Sequence, residues 1–318
     1  MIDPGARSPQ VIAIFEALAT LGPLRDASVD RVIITHFHPD HIGMAGYFAD
    51  RGATLWMTRT SWLQAKVMIG EHRNLPSIEQ IQFLKQAGLQ GFAIESYSRK
   101  PPSDYKNLVS PLPFSYNRLR EGSVVPMLSS RSTVRIGNGH AAEHATLWLD
   151  NGLAFTGDQI LPSHAPNLCA HPSDPYSNPV EEWIQTCRRF AEEVGDQHLC
   201  LPGHGVPFWG AATRCKQLVD ALERTLNRLL ESLAKPKTAV DALPVVFGRP
   251  LSGYELPFSI AEAWAFLVYL ESRNMVCRLP GTVTRCDLAV RWIRCSKSSL
   301  SLSQDSEPNQ PHSIGVKQ

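Results

Sequence analysis

Residues 35–43 read Thr-His-Phe-His-Pro-Asp-His-Ile-Gly, so His36, His38, Asp40 and His41 fall within six positions. In an extended segment alternate residues share a side, so His36 and His38 can point the same way. A turn at Pro39 then brings Asp40 and His41 to a neighbouring position. Imidazole and carboxylate are ligands suited to zinc, manganese or iron(II). Without a cation, four buried polar side chains lacking partners would each cost about 1–3 kcal/mol. Later in the chain come His140 in GNGHAAEH, Asp158 in FTGDQI and His204 in LPGHG, and earlier comes Asp3 in MIDPG. So many ligand-competent groups exceed what one tetrahedral ion takes. They fit two ions sharing a bridging carboxylate.

Each of these groups follows a short apolar run. RVIIT (31–35) precedes the histidine cluster, LAFTG (153–157) precedes Asp158, and QHLCL (197–201) leads to His204. In layered α/β folds the edge where strands end is the usual place for a site. The rest of the chain supplies the layers. Ser8-Pro9 caps a helix running to about residue 21, residues 40–52 read as a helix, and residues 53–57 as the next strand. A capping box at Ser77–Gln80 opens a helix ending near Gly88. Residues 145–157 form a hairpin pattern around Asp150-Asn151-Gly152, and Asn178-Pro179 caps a helix to residue 194. Residues 59–110, part helical and part proline-rich, read as an insertion of the kind that covers active sites. Beyond His204 the texture changes. Leucines at 218, 222, 226, 229 and 233 mark an amphipathic helix, Ser259 and Glu262 have capping-box spacing for a helix over 259–274, and residues 275–286 suggest a short hairpin.

The motifs THFHPDHIG, GNGHAAEH, FTGDQI and LPGHG, in this order, resemble the metallo-β-lactamase superfamily, whose hallmark is H-x-H-x-D-H followed by later His, Asp and His. The resemblance implies an α/β fold, the αββα sandwich, over residues 1–211, with 59–110 as a cap insertion. It also implies a set of metal ligands: His36, His38 and His140 for a first ion, Asp40, His41 and His204 for a second, and Asp158 between them. Asp3 matches the position that supports the metal loop. His144, four residues after His140, would face the substrate or give second-rank support; with Asp40 and Asp158 it completes the expected catalytic set. Two divalent ions, zinc first with iron or manganese as alternatives, would lower the pKa of a shared water enough to form a bridging hydroxide near neutral pH. That hydroxide would attack a carbonyl carbon or a phosphorus. Residues 212–295 resemble the winged-helix module of one branch of the superfamily, which includes glyoxalase-II-like hydrolases and endoribonucleases. The serine-rich tail 296–318 is expected to be disordered.

The chain has 318 residues, is 43% hydrophobic and carries a formal charge of +1. Nothing global points to nucleic acid or an anionic membrane surface. No apolar run is long enough to span a bilayer, and no signal sequence is visible. Seven scattered cysteines without a C-x-x-C pair suggest reduced thiols and a cytoplasmic protein. His72, His164, His171, His198 and His312 are expected to do ordinary surface or packing work. The superfamily ordinarily has strands before its first Asp, and here only two residues precede Asp3. Those strands are therefore expected to be missing, leaving an exposed sheet edge and poor solubility or partner pairing. The expected activity is hydrolysis of a small thioester or ester, as in hydroxyacylglutathione hydrolases. The alternative is cleavage of single-stranded RNA, suggested by a basic wing of Arg273, Arg278, Arg285, Arg291, Arg294 and Lys297.

Overall fold

The computed structural model describes residues 1–295 apart from 23, 26, 72, 102–104, 128–129 and 280–287. In chain order the elements are α1 (Pro9–Thr20), β1 (Arg31–Ile33), α2 (Pro39–Ile42), α3 (Ala45–Ala49), β2 (Thr54–Met57), α4 (Arg59–Gly70), α5 (Ile78–Gln86), α6 (Gly91–Ser98) and α7 (Tyr105–Leu108). There follow β3 (Asn117–Arg118), β4 (Val124–Met127), β5 (Ser130–Gly137), β6 (His144–Leu149), β7 (Leu153–Gly157), α8 (Pro179–Glu193), β8 (Leu199–Pro202) and β9 (Phe208–Trp209). The chain ends in α9 (Ala211–Ser232), α10 (Ala239–Phe247), α11 (Glu255–Ser272), β10 (Val276–Leu279) and β11 (Arg291–Arg294).

Two sheets stack between helices. One is parallel, in the order β1-β2-β3; the other runs β4-β5-β6-β7-β8-β9 and is antiparallel except where β7 pairs β8. Alternation along the strands explains the layering. Val32 and Ile34 face an outer cluster with Ile42, Met44, Phe48 and Leu55, while Ile33 faces a cluster between the sheets with Val134, Ala145 and Leu147. On β6, Leu147 joins the inter-sheet core and Trp148 the opposite cluster, where it meets Trp183, Phe190 and the helices after residue 210. Helix, sheet, sheet and helix thus form the αββα arrangement the motifs predict. Met1-Ile2 extends the parallel sheet by a bridge to Ile33, with Asp3 N donating to Ile33 O at 3.1 Å.

Several local expectations are corrected. The helix predicted over 40–52 is two short helices, broken at Gly43-Met44. The last long helix starts at Glu255, so Ser259 is a buried residue inside it and the Ser259/Glu262 pair is not a cap. A genuine capping box lies instead at Thr238/Asp241, opening α10. The hairpin expected within 275–286 is wider: β10 pairs with β11, Val276 opposite Arg294 and Leu279 opposite Arg291. Reduced thiols hold for Cys169, Cys187, Cys200 and Cys215, whereas Cys277 and Cys295 form a disulfide with Cα atoms 5.4 Å apart. Disulfides persist in oxidising surroundings, so cysteine usage no longer supports a cytoplasmic location. Among the described residues no helix is long and apolar enough to cross a membrane. The 296–318 tail, Cys286, Arg285, Lys297 and His312 lie outside the described residues.

Candidate metal centre

The histidine cluster begins where β1 ends. Thr35 is held by Asp3 twice: its N–H donates to Asp3 Oδ1 at 2.9 Å and its hydroxyl to Asp3 Oδ2 at 2.7 Å. Across the sandwich Ala145 N donates to Thr35 O at 2.8 Å, tying the cluster to β6. Pro39 sits at the first position of α2, where its missing N–H and fixed φ cost nothing. The chain turns there, and His41 points back across the cluster.

Three groups of ligand atoms result, each with all members within 4.8 Å of one another: His36, His38 and His140; His36, His41 and Asp158; and Asp40, His41 and His204. All seven residues expected as ligands are therefore brought together. Asp158 stands between the groups. Its Oδ1 lies 3.4 Å from His41 Nε2, and its Oδ2 lies 3.5 Å from both His140 Nε2 and His204 Nε2. His204 Nε2 is also 3.0 Å from Asp40 Oδ2. The side chains of His41 and Asp158 are 2% and 8% exposed, against 51% for His204 and 50% for Asp40, so the centre opens to solvent on the Asp40–His204 side.

Hydrogen-bond partners fix the protons of two rings. The Asn167 carbonyl, 2.9 Å from His140 Nδ1, can only accept, so that nitrogen carries the proton and Nε2 is a lone pair. Thr35 gives its hydroxyl proton to Asp3, so at 3.0 Å it accepts from His36 Nδ1, leaving His36 Nε2 a lone pair too. These two lone pairs face each other at 3.2 Å, with His38 Nδ1 2.9 Å from His36 Nε2. A proton on His38 Nδ1 can satisfy the His36 lone pair alone, whereas a cation between the rings would satisfy both. Burial, reinforced by the neighbouring histidines, holds His36 and His38 well below the ordinary histidine range, and burial lowers His140. These rings are neutral, as ligands must be.

The other group has the opposite character. Burial disfavours a charge on His41, but the Asp158 carboxylate 3.4 Å away and the hydrogen bond to Asp3 outweigh it and raise the ring to about 10. Asp158, though buried, is held below the usual carboxylate range by His41. Without a metal a proton on His41 stands where a cation would. His41 Nε2 and Asp158 Oδ1 are buried without a hydrogen-bond partner, which is the signature of a ligand pair awaiting an ion. The residues present thus fit divalent metal ions.

His144 does not face a substrate. It is 0% exposed, stacks on His36 with ring centroids 4.7 Å apart, and accepts the Asp158 backbone N–H at 3.1 Å. It orients Asp158 from behind. The structure also adds residues with no local sequence signal: Asn167 behind His140, Thr35 between Asp3 and His36, and two glycines. A Cβ on Gly203 would lie 2.1 Å from Asp158 Oδ1, and one on Gly157, whose φ is +49°, 2.6 Å from His144 Cε1. Glycine is required at both places for the backbone to approach the centre. His164 is exposed beside Ser163, and His198 packs edge-on against Trp148, in the ordinary roles expected of them. Arg273 and Arg278 are engaged by Glu181 and Glu271, so the expected basic wing is partly neutralised.

Residues 1–204 match the family model of the metallo-beta-lactamase superfamily. The chain belongs to that superfamily. Residues 226–286 match the model of the metallo-beta-lactamase-like C-terminal domain. The chain is 25% identical over 293 residues to "Probable metallo-hydrolase YqjP" of Bacillus subtilis, covering 87% of this chain and 85% of that one. A crystal structure of a beta-lactamase domain protein from Burkholderia ambifaria superposes with a TM-score of 0.81 at 30% identity, over 92% of this chain and 83% of that one. A metallo-beta-lactamase family protein from Thermus thermophilus shares the fold, with a TM-score of 0.73 at 23% identity over 92% and 89% of the two chains.

Proposed function

We propose that this metallo-beta-lactamase superfamily member is a binuclear metal-dependent hydrolase of small thioesters or carboxylic esters. The observation that carries the reading is the position of Asp158, whose carboxylate lies within 3.5 Å of His41, His140 and His204 and so joins the two ligand groups. The B. subtilis relative named as a metallo-hydrolase supports the reaction class. His36, His38 and His140 would hold one ion; Asp40, His41 and His204 the other; Asp158 both. Zinc suits the His-rich group, and iron or manganese are also compatible with nitrogen and carboxylate donors. Two such ions supply an activated water at neutral pH and polarise the electrophile's oxygen.

The chain's own residues do the rest. Asp3 and Asn167 fix ring orientation, His144 fixes Asp158, and the half-exposed Asp40 and His204 border the side from which a small substrate enters. The elements over 211–295, a helix, the Lys237–Trp292 bridge, two helices and a hairpin, are read as a winged-helix-type module. The ion-paired Arg273 and Arg278 leave the ester reading ahead of RNA cleavage.

The test is metal content by mass spectrometry on the wild type and Asp158→Ala, followed by turnover of a thioester and ester panel and of single-stranded RNA. About two metal ions per wild-type chain, fewer in the variant, and turnover of a thioester or ester are expected. A well-folded chain without stoichiometric metal would refute the metal reading; metal with RNA cleavage alone would refute the substrate class.

A further inference from the structure

Glu262 has a role that its Ser-x-x-Glu spacing does not suggest. Lying well inside α11, it turns outward to the loop that follows Pro162. Leu168 N donates to Glu262 Oε1 at 3.5 Å and Ala170 N donates to Ala261 O at 3.3 Å, while Cys169 Sγ, 2.6 Å from Asn167 Oδ1, lies 3.1 Å from Phe258 O. Leu168 and Ala170, on either side of Cys169, are thus held by one helix. The side chains of Leu168 and Ala170 are buried in the same cluster as Ile260, Ala261 and Trp264, and Trp264 Nε1 donates to Pro175 O at 2.7 Å farther along the loop. The residue immediately before the three is Asn167, whose carbonyl accepts the His140 Nδ1 proton at 2.9 Å.

A carbonyl that fixes a ligand's tautomer and ring direction acts only as well as its own backbone is fixed. Nothing on β5 or β6 holds the Asn167 carbonyl in the hydrogen bonds described; the hold comes from α11, about ninety residues later in the chain (94 between Leu168 and Glu262). Of these contacts, the one from Ala170 uses a helix backbone carbonyl. Glu262 alone contributes a side chain from the helix, and that contact can be removed without changing the loop itself.

We propose that Glu262 is a positioning residue: it anchors the 167–170 loop so that the Asn167 carbonyl aims His140 Nε2 at the metal centre. This rests on the binuclear metal reading above. It makes the C-terminal helix part of the metal site's support, acting through the loop without touching an ion.

The experiment is the rate at which zinc-loaded protein gives up metal to a chelator, with the visible spectrum of the cobalt(II)-substituted protein as a second readout. The variants are Glu262→Ala, Glu262→Gln and Leu226→Ala, the last a core truncation in α9 that does not touch the loop and serves as a stability control. Loss of a direct ligand partner weakens metal binding about 10- to 100-fold. One step further out, Glu262→Ala is expected to release metal about 3- to 10-fold faster with an altered cobalt spectrum. Glu262→Gln, whose amide oxygen can still accept from Leu168 N, should stay close to wild type, and so should Leu226→Ala once compared at equal distance below its Tm. Wild-type release by Glu262→Ala, or equal acceleration in Leu226→Ala, would overturn the positioning role while leaving the metal reading intact. A wild type that binds no metal would remove both.

Discussion

His41 Nδ1 and Asp3 Oδ2 lie 2.8 Å apart, joining residues separated by 38 positions. The same carboxylate takes both donors of Thr35. Asp3 therefore sets the end of β1 and the direction of His41 together, from a backbone with φ of 44°. Asp3→Ala is expected to weaken metal binding by about tenfold or more, as loss of a carboxylate behind a ligand histidine does. Competition titration with a chromophoric chelator reads this directly. Affinity within about twofold of wild type would mean that Thr35 and the α2 turn orient His41 unaided.

The buried rings predict how the metal-free chain responds to pH. His36, His38, His140 and His144 all have folded pKa values below 6.5, His144 pushed down to about 3 by burial and its neighbour His140. Below pH 6.5 the unfolded chain takes up protons at these rings that the folded chain refuses. Their contribution to stability is thus present above pH 6.5 and lost as pH falls, by at most about 1.4 kcal/mol per pH unit for each ring, until pH reaches that ring's folded value. His41, raised to about 10, works in the other direction. Its contribution is complete below pH 6.5 and fades as pH rises toward 10. Metal-stripped protein should therefore be most resistant to urea near neutral pH and weaken on both sides. A midpoint unchanged between pH 7 and 5 would contradict the assignment of neutral buried rings.

Glu143 binds the other end of the His140 loop. It holds φ of 52°, its N–H donates to Asn138 Oδ1 at 2.9 Å, and its carboxylate accepts the Thr60 N–H at 2.7 Å in the first turn of α4. Thr58 makes no side-chain cap there, so Glu143 caps the helix from outside. Burial would raise its pKa, but the Thr60 hydrogen bond and Arg118 prevail and lower it. Glu143→Ala should cost about 1 kcal/mol, as for other lost helix caps, seen as a Tm lower by about 2–4 °C and faster hydrogen exchange at the Thr60 amide. Unchanged exchange at Thr60 would show that water replaces the cap.

The ligand set could be read in the sequence because each ligand follows a strand of strong apolar character, and strand ends are locally marked. The residues that aim the ligands could not. Asn167 acts through its backbone carbonyl, Thr35 through a proton passed to Asp3, and Glu262 across about ninety residues of chain; none leaves a spacing pattern that points to the site. Ser259 and Glu262 show how a genuine local pattern misleads. Their spacing satisfies a cap, but Pro257 is tolerated in a first turn, so the helix starts earlier at Glu255 and buries the serine. The β10–β11 hairpin also departs from its sequence pattern: Pro280-Gly281 reads as a turn signal in the sequence, yet the partner strand begins only at Arg291.

The two stretches that match separate family models share one continuous interior. The cluster that holds Trp148, Trp183 and Phe190 of the first also holds Leu226, Ile260, Trp264 and Leu267 of the second, together with Phe83 and Leu84 of α5. Apart, each half would present a large apolar face to water. The chain should therefore melt as a single cooperative unit, and expressing residues 1–211 alone should yield an aggregating fragment rather than a smaller enzyme.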